Sequence, residues 1–225
     1  MINKKNYTTN IIGVNNLINK IIKKNREKIF QIFEEHIKYN KKSKILDVGT
    51  TPILEPHENM IFYQYRFKNQ ITGFSNQNCD ILKKKFKKNK FLIGNAKSMR
   101  IKNSSYDIVH CSATIEHVGS FVNQTKLVSE LFRVAKKYVF ITTPNRNFPI
   151  ELHTRIPLIH LLPIKIFRWI LKLLNLSFFS KEENLNLLNT KDLLKICKKN
   201  KIQNFKIFYN KLFFLNSNII LILKK

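Results

Sequence analysis

The chain has 225 residues, 44% of them hydrophobic, and a formal net charge of +27. That length suits one sizeable domain with a full apolar core, which removes any need for disulfide or metal staples. The three cysteines, Cys79, Cys111 and Cys197, lie far apart and show neither CxxC nor Cys/His ligand spacing, which argues for a reducing compartment and against zinc or a disulfide framework.

Residues 1–10 are polar and lack an apolar h-region, so no signal peptide is expected and the chain reads as cytoplasmic. A charge of +27 would suit nucleic acid or an anionic membrane surface. Yet lysine, asparagine and isoleucine recur in every segment, and the lysines are not gathered with aromatics. A compositional origin is therefore favoured over a charged partner, which stays open.

In chain order, residues 14–33 carry Val14, Leu17, Ile18, Ile21, Ile22, Ile29 and Phe33 at three/four spacing, an amphipathic helix. After a basic turn at 40–43, Lys44–Gly49 reads as a short buried strand closed by glycine. Residues 56–68 read as helical, Gln70–Phe74 as a strand, 76–87 as a helix and Lys90–Ile93 as a third strand ending at Gly94. Tyr106–Cys111 is a fourth strand, 123–135 a helix with Leu127, Leu131 and Ala135 on one stripe, and Lys137–Thr142 a fifth strand. Thr190 reads as the N-cap of a helix running through Lys199, and strands follow at about 205–209 and 218–223. Strand–helix alternation implies a mostly parallel sheet with helices on both faces, and the last two strands can pair antiparallel at its edge.

In such a sheet ligands bind beyond the carboxyl ends of the strands. Those ends are Asp47-Val48-Gly49, Gly73-Phe74-Ser75, Gly94-Asn95-Ala96, Cys111-Ser112 and 142–145. Small and polar residues gather there while the strand bodies are apolar, which marks a cleft.

Lys44–Pro52 resembles motif I of class I methyltransferases, and Gly94-Asn95-Ala96 resembles that family's Gly-Asp-Ala after strand three. Tyr106–Val109 followed by Ser112–Val118 is similar to its Phe-Asp-x-Val and x-Ile-Glu-His-Val run, and Leu131–Val134 to the helix before strand five. Four pieces in order, over about 44–145, identify the chain as resembling class I S-adenosylmethionine-dependent methyltransferases of the type 11 subfamily. The stretch 141–155 also looks like bacterial methyltransferases associated with surface-polysaccharide genes.

The resemblance implies an α/β, Rossmann-like fold with a mostly parallel seven-stranded sheet, helices on both faces and an antiparallel C-terminal strand. It implies S-adenosyl-L-methionine as cofactor, held by Asp47, Gly49, Thr50, Ser75, Asn76, Asn95, Ala96 and Ser112. Asp47 would lie near the methionine end; otherwise it merely caps the turn. Three features depart from the family. The loop runs Gly49-Thr50-Thr51-Pro52 rather than on further glycines, and proline removes a donor and fixes φ. Ser75 and Asn76 stand where an acidic residue holds the ribose diol, and a neutral group binds it more weakly. Asn95 replaces the aspartate that faces the adenine.

Glu116 and His117 sit just past strand four, over the presumed methyl group. Either His117 accepts a proton or contacts substrate with Glu116 orienting it, or Glu116 starts a helix and His117 packs beneath. His153, beside Arg155 on the loop after strand five, is a candidate acceptor contact or base against a merely solvated histidine. His36, His57, His110 and His160 show no partner in the sequence, and no metal is expected.

Residues 156–179 are the most hydrophobic part of the chain, but Pro157, Pro163, Lys165, Arg168 and Lys172 break any membrane span. Lys165, Arg168 and Lys172 share a helical face beside Trp169, which suits either a lid over the site or an interfacial helix on an anionic membrane. One domain is expected over 1–225, with a helical segment at 1–43 and a substrate or lid insertion at 146–189. The expected function is methyl transfer to an O, N or C nucleophile of a small molecule or of a glycan- or lipid-linked precursor. The rival is a non-catalytic nucleic-acid- or membrane-binding module on the same fold. The Asn/Asp-Pro-Pro-Tyr/Phe tetrapeptide of amino-group methyltransferases is absent after strand four, which argues against nucleobase amines. A GxGxxG after strand one is absent too, which argues against a nicotinamide dehydrogenase.

Overall fold

The computed structural model describes residues 15–212 and 214–225, with side chains from Lys20 onward. Val14 and the polar segment 1–10 lie outside the described residues. Helix α1 (Asn15–His36) precedes β1 (Ile45–Val48), and α2 (Met60–Gln64) leads to β2 (Ile71–Ser75). Then come α3 (Asp80–Lys85), β3 (Lys90–Ile93), β4 (Tyr106–Ser112), α4 (Phe121–Val134) and β5 (Ala135–Pro144). The chain closes with α5 (Ile164–Leu173), α6 (Ser177–Ser180), α7 (Thr190–Lys199), β6 (Phe205–Leu212) and β7 (Leu215–Lys224).

The seven strands run in the order β3-β2-β1-β4-β5-β7-β6. Strand β7 lies antiparallel to both β5 and β6, and the strands from β3 to β5 pair in parallel. The order reverses next to β1, so the carboxyl ends of β1 and β4 flank the switch point where α/β proteins bind ligands.

Alternation along the strands divides the core. Leu46, Val48, Val109, Cys111, Val139 and Ile141 pack with Leu127 and Leu131 of α4 and Ile196 of α7. Ile45, Ile108 and Phe140 face the other way, onto Ile29 and Phe33 of α1 and Phe62 of α2. Each fully buried side chain of this kind contributes about 1.5–3 kcal/mol. Helix α1 is also tied to the far end of the sheet, where Asn25 Nδ2 donates to Asn218 Oδ1 (2.7 Å) and Asn210 Nδ2 donates to Asn25 Oδ1 (2.7 Å).

Two helices are shorter than their apolar patterns suggest. The span 56–68 contains only α2 and, after it, a 3-10 turn at Lys68–Gln70, and 76–87 contains only α3. In the first, Asn59 takes the Thr51 and Ile53 carbonyls of a loop that contains Pro52 and Pro56, so the chain turns late. In the second, Asn78 Oδ1 accepts from the Asp80 N–H at 3.0 Å, a local turn that competes with helix and delays its start. The N-cap of α7 is Asn189, not Thr190. Its side chain accepts from the Asp192 N–H and Asp192 reaches back, a reciprocal capping box.

Candidate active site

The first strand ends in a turn held by side chains of its neighbours. Asp47 is 6% exposed. Its Oδ2 accepts from the Thr50 hydroxyl at 2.7 Å, and its Oδ1 lies 2.6 Å from His110 Nδ1. Asp47 and His110 are register partners on β1 and β4, so both side chains leave the sheet on the α1 side. Gly49 has φ +95°, a conformation glycine adopts without cost, and an added Cβ would lie 1.9 Å from Thr114 Oγ1. The Gly49 and Thr50 N–H groups both donate to Phe74 O, at 2.9 and 3.2 Å, which fastens the turn to β2.

The proline-containing loop takes its separate path because Asn59 braces it. Its Oδ1 accepts from the Thr51 N–H at 3.0 Å, and its Nδ2 donates to Thr51 O (3.0 Å) and Ile53 O (2.7 Å). The Thr51 hydroxyl is buried without a hydrogen-bond partner among the described residues. At the end of β2, Ser75 Oγ accepts from the Gln77 N–H at 3.1 Å, and Asn76 is exposed. Past β3, Asn95 is exposed with its Oδ1 accepting from the Lys97 N–H, and Ala96 packs on the core. Ser112 and Thr142, opposite each other on β4 and β5, join hydroxyls at 2.9 Å.

A cavity of about 30 Å³, room for roughly one water, lies between Arg26 and Phe33 of α1 and Asp47, Asn59, His110 and Ser112. A larger hollow of about 590 Å³, lined by Glu34, Lys38, Tyr39, Arg66 and Phe67 among others, sits near the amino end of β1. It holds none of the strand-end residues.

Beyond β4 a 3-10 turn, Ile115–His117, carries the second half of the site. Glu116 does not begin the next helix: Ser120 caps α4 by accepting from the Asn123 N–H. Glu116 is fully buried, and its Oε2 accepts from the Thr143 hydroxyl at 3.0 Å while Oε1 has no hydrogen-bond partner among the described residues. His117 Nδ1 donates to Asn184 O at 2.6 Å. The His117 and His153 rings meet edge to face, centroids 4.8 Å apart. His153 Nδ1 donates to Glu151 Oε1 at 2.7 Å, and the N–H groups of His153 and Thr154 donate to the same carboxylate.

Burial opposes the charge on Glu151, but the facing His153 ring and these hydrogen bonds outweigh it and bring the carboxyl down to about 2. Burial likewise works against an imidazolium at His153, and Glu151 more than offsets it, so this histidine titrates above its ordinary range. Burial, then the neighbouring His153, pulls His117 below its own. Residues 184–186 clamp the turn: the Asn186 N–H donates to Glu116 O, Asn186 Nδ2 to Gly119 O, and Gln124 Nε2 to Asn186 O. Thr114 joins the two halves. It faces Gly49, and its carbonyl accepts from the His117 N–H.

The structure thus gathers Asp47, Gly49, Thr50 and Ser112 at one point and Glu116, His117 and His153 at another. Ser75, Asn76, Asn95 and Ala96 stand at the ends of the outer strands. His110, Asn59, Thr114, Thr143 and Glu151 were not legible as site residues. The Asn59 brace and the His110 pairing depend on loop path and strand register, which no local pattern displays.

Residues 60–141 match the family model described as a methyltransferase domain. The matched segment, from α2 to β5, is the part of the chain that this methyltransferase model describes. The match begins at Met60, so the departing motif I loop lies before it. Among solved structures, a methyltransferase of Aquifex aeolicus is 13% identical, with TM-score 0.59, over 92% of this chain and 96% of that one. A methyltransferase of Methanosarcina mazei is 16% identical, with TM-score 0.53, over 86% and 96%. A magnesium protoporphyrin IX methyltransferase of Synechocystis with bound S-adenosylhomocysteine is 13% identical, with TM-score 0.59, over 98% and 91%. No curated protein matches the chain.

The strand ends fit the donor. The motif loop keeps one buried hydroxyl, Thr51 Oγ1, unsatisfied, and the Gly49 turn places its backbone at the switch point.

Proposed function

We propose that this methyltransferase moves the methyl group of S-adenosylmethionine to an O, N or C nucleophile of a small molecule or of a glycan- or lipid-linked precursor. The observation that carries this reading is the polar cluster of buried Glu116 and half-buried His117 and His153, one turn beyond the Thr114–Gly49 contact. The donor supplies a methyl already activated on a sulfonium. What is asked of the protein is to align the two partners and to take up a proton from an O or N nucleophile.

Helix α1 fills the space beside Asp47 down to a cavity of about 30 Å³, so the donor lies on the β2 side of the motif turn. There Gly49 and Thr50 meet its methionine end, Ser75 and Asn76 its ribose, and Asn95 and Ala96 its adenine. Asp47 already has one hydrogen bond on each oxygen, so it acts chiefly by holding Thr50 and the turn in place. The acceptor rests against Glu116, His117 and His153.

Isothermal titration with S-adenosylmethionine tests the donor half. The wild type binds, and Asp47→Ala weakens binding severely; equal affinity in the two discards the motif I assignment. Transfer of a labelled methyl group tests the other half. His117→Ala and His153→Ala cut turnover while donor affinity stays near normal, and full activity in both removes the cluster from the acceptor side.

A peripheral membrane contact is favoured by one further observation. Leu158, Leu161, Ile166, Trp169, Leu173 and Leu174 are all exposed on and around α5, while Phe167 and Leu171 on its inner face are buried. Lys165 and Lys172 flank these apolar side chains, the pattern of a helix lying on an anionic surface. No helix of the described residues is long and apolar enough to cross a membrane.

A further inference from the structure

Three side chains direct ligand atoms at one spot near the end of β4. Glu116 Oε1 lies 3.9 Å from His117 Nε2 and 4.0 Å from His153 Nε2. The ligand atoms of all three residues lie within 4.8 Å of one another. Separations of 3.9 and 4.0 Å are too long for hydrogen bonds. They are close to those of ligands around a shared ion, since a tetrahedral cation with ligands at about 2.1 Å holds them about 3.4 Å apart.

The carboxylate makes the stronger argument. Glu116 is 0% exposed, and its Oε1 has no hydrogen-bond partner among the described residues. A buried carboxylate oxygen whose neighbours stand beyond hydrogen-bond reach is costly, and a cation between the imidazoles would remove that cost. The histidines are already oriented for such a role. His117 donates its Nδ1 proton to Asn184 O and His153 donates its own to Glu151 Oε1. In each neutral ring this leaves the lone pair on Nε2, the atom facing Glu116. Metal-ligating histidines commonly donate their other N–H to a carbonyl or carboxylate in this way.

We propose that Glu116, His117 and His153 bind one divalent transition-metal ion, with at least one coordination position open to water or to an oxygen of the acceptor. Two imidazoles and a carboxylate suit zinc, cobalt, nickel or iron, whereas magnesium and calcium prefer all-oxygen sets. Glu151 is a positioning residue for His153. Cysteine spacing had argued against zinc, but these ligands come from a turn and a distant loop and form no spacing signature. Metal uptake itself does not depend on methyl transfer. Only the occupant of the open position rests on the acceptor reading, because an ion there would hold an acceptor oxygen and favour loss of its proton.

The test is a titration of the full-length, metal-free protein with Co²⁺ and then Zn²⁺, without donor or acceptor. One Co²⁺ binds per chain, gives the visible absorption of cobalt with nitrogen and oxygen ligands, and is displaced by Zn²⁺. Glu116→Gln and His153→Ala each weaken uptake by at least about 100-fold, and Glu151→Gln by about 10–100-fold. Circular dichroism reports whether each variant is folded. Should both ligand variants unfold, the wild type still decides through paramagnetically shifted imidazole protons from two histidines in its cobalt form. Absence of cobalt uptake by the folded wild type, uptake unchanged in the folded ligand variants, or a sulfur-ligated cobalt spectrum overturns the site. Donor titration of the same sample separates this outcome from failure of the methyltransferase reading.

Discussion

His110 Nδ1 lies 2.6 Å from Asp47 Oδ1, joining the ends of adjacent strands β1 and β4 beneath helix α1. The Asp47 carboxylate is therefore part of the scaffold beneath the first strand's turn. His110→Leu leaves Asp47 buried with one partner fewer. The expected destabilisation is about 1–3 kcal/mol, read by urea unfolding, together with weaker S-adenosylmethionine binding by calorimetry. Wild-type stability in the variant would show that the pair contributes nothing to the fold.

Gly49 cannot accept a side chain. Its φ of +95° and the 1.9 Å approach of an added Cβ to Thr114 Oγ1 act together. Gly49→Ala is expected to displace the turn and to lower the melting temperature by several degrees. Donor affinity falls with it. A thermal melt unchanged from the wild type contradicts this geometry.

Asn59→Ala removes three hydrogen bonds from the loop that replaces the family's glycines. The expected loss is about 1–3 kcal/mol. Because the brace holds only the loop, amide exchange should rise over 51–55 while β1 stays protected, and uniform exchange across the domain would mean the brace is wider than the loop.

Glu130 accepts from Arg133 Nε at 2.7 Å and from the Met99 N–H at 2.7 Å, and Arg133 also donates to Met99 O and Ile101 O. The Arg133 hydrogen bond, against some desolvation, lowers the Glu130 carboxyl below its ordinary range. A carboxylate with a depressed folded-state pKa contributes stability above its unfolded pKa and loses it as pH falls through the folded value. Glu130→Gln should thus be less stable than the wild type by about 1–2 kcal/mol at pH 7, with the gap closing below about pH 4. Urea unfolding at both pH values checks the sign; a gap that widens in acid refutes it.

Flotation with vesicles tests the exposed apolar side chains of α5. Trp169→Asp with Ile166→Asp should abolish association with anionic vesicles and leave stability nearly unchanged, since both side chains are exposed. Retained flotation assigns this face to something other than a membrane.

Strand bodies, the alternation of strands and helices and the polar strand tips were all legible in the sequence, because short apolar runs and turn chemistry are local properties. They located Asp47, Gly49, Ser75 and Asn95 at one edge of the sheet and supported the fold. Helix lengths at 56–68 and 76–87 and the cap at Asn189 were set by side chain–backbone hydrogen bonds that compete with apolar periodicity. Only the tertiary structure could pair Asp47 with His110, since parallel register is fixed by long-range packing. It also brought His153, from the loop after β5, beside Glu116 and His117. Loop closure over that distance leaves no trace in residue spacing, and the contact exists only because β4 and β5 lie side by side and 184–186 clamps the turn between them.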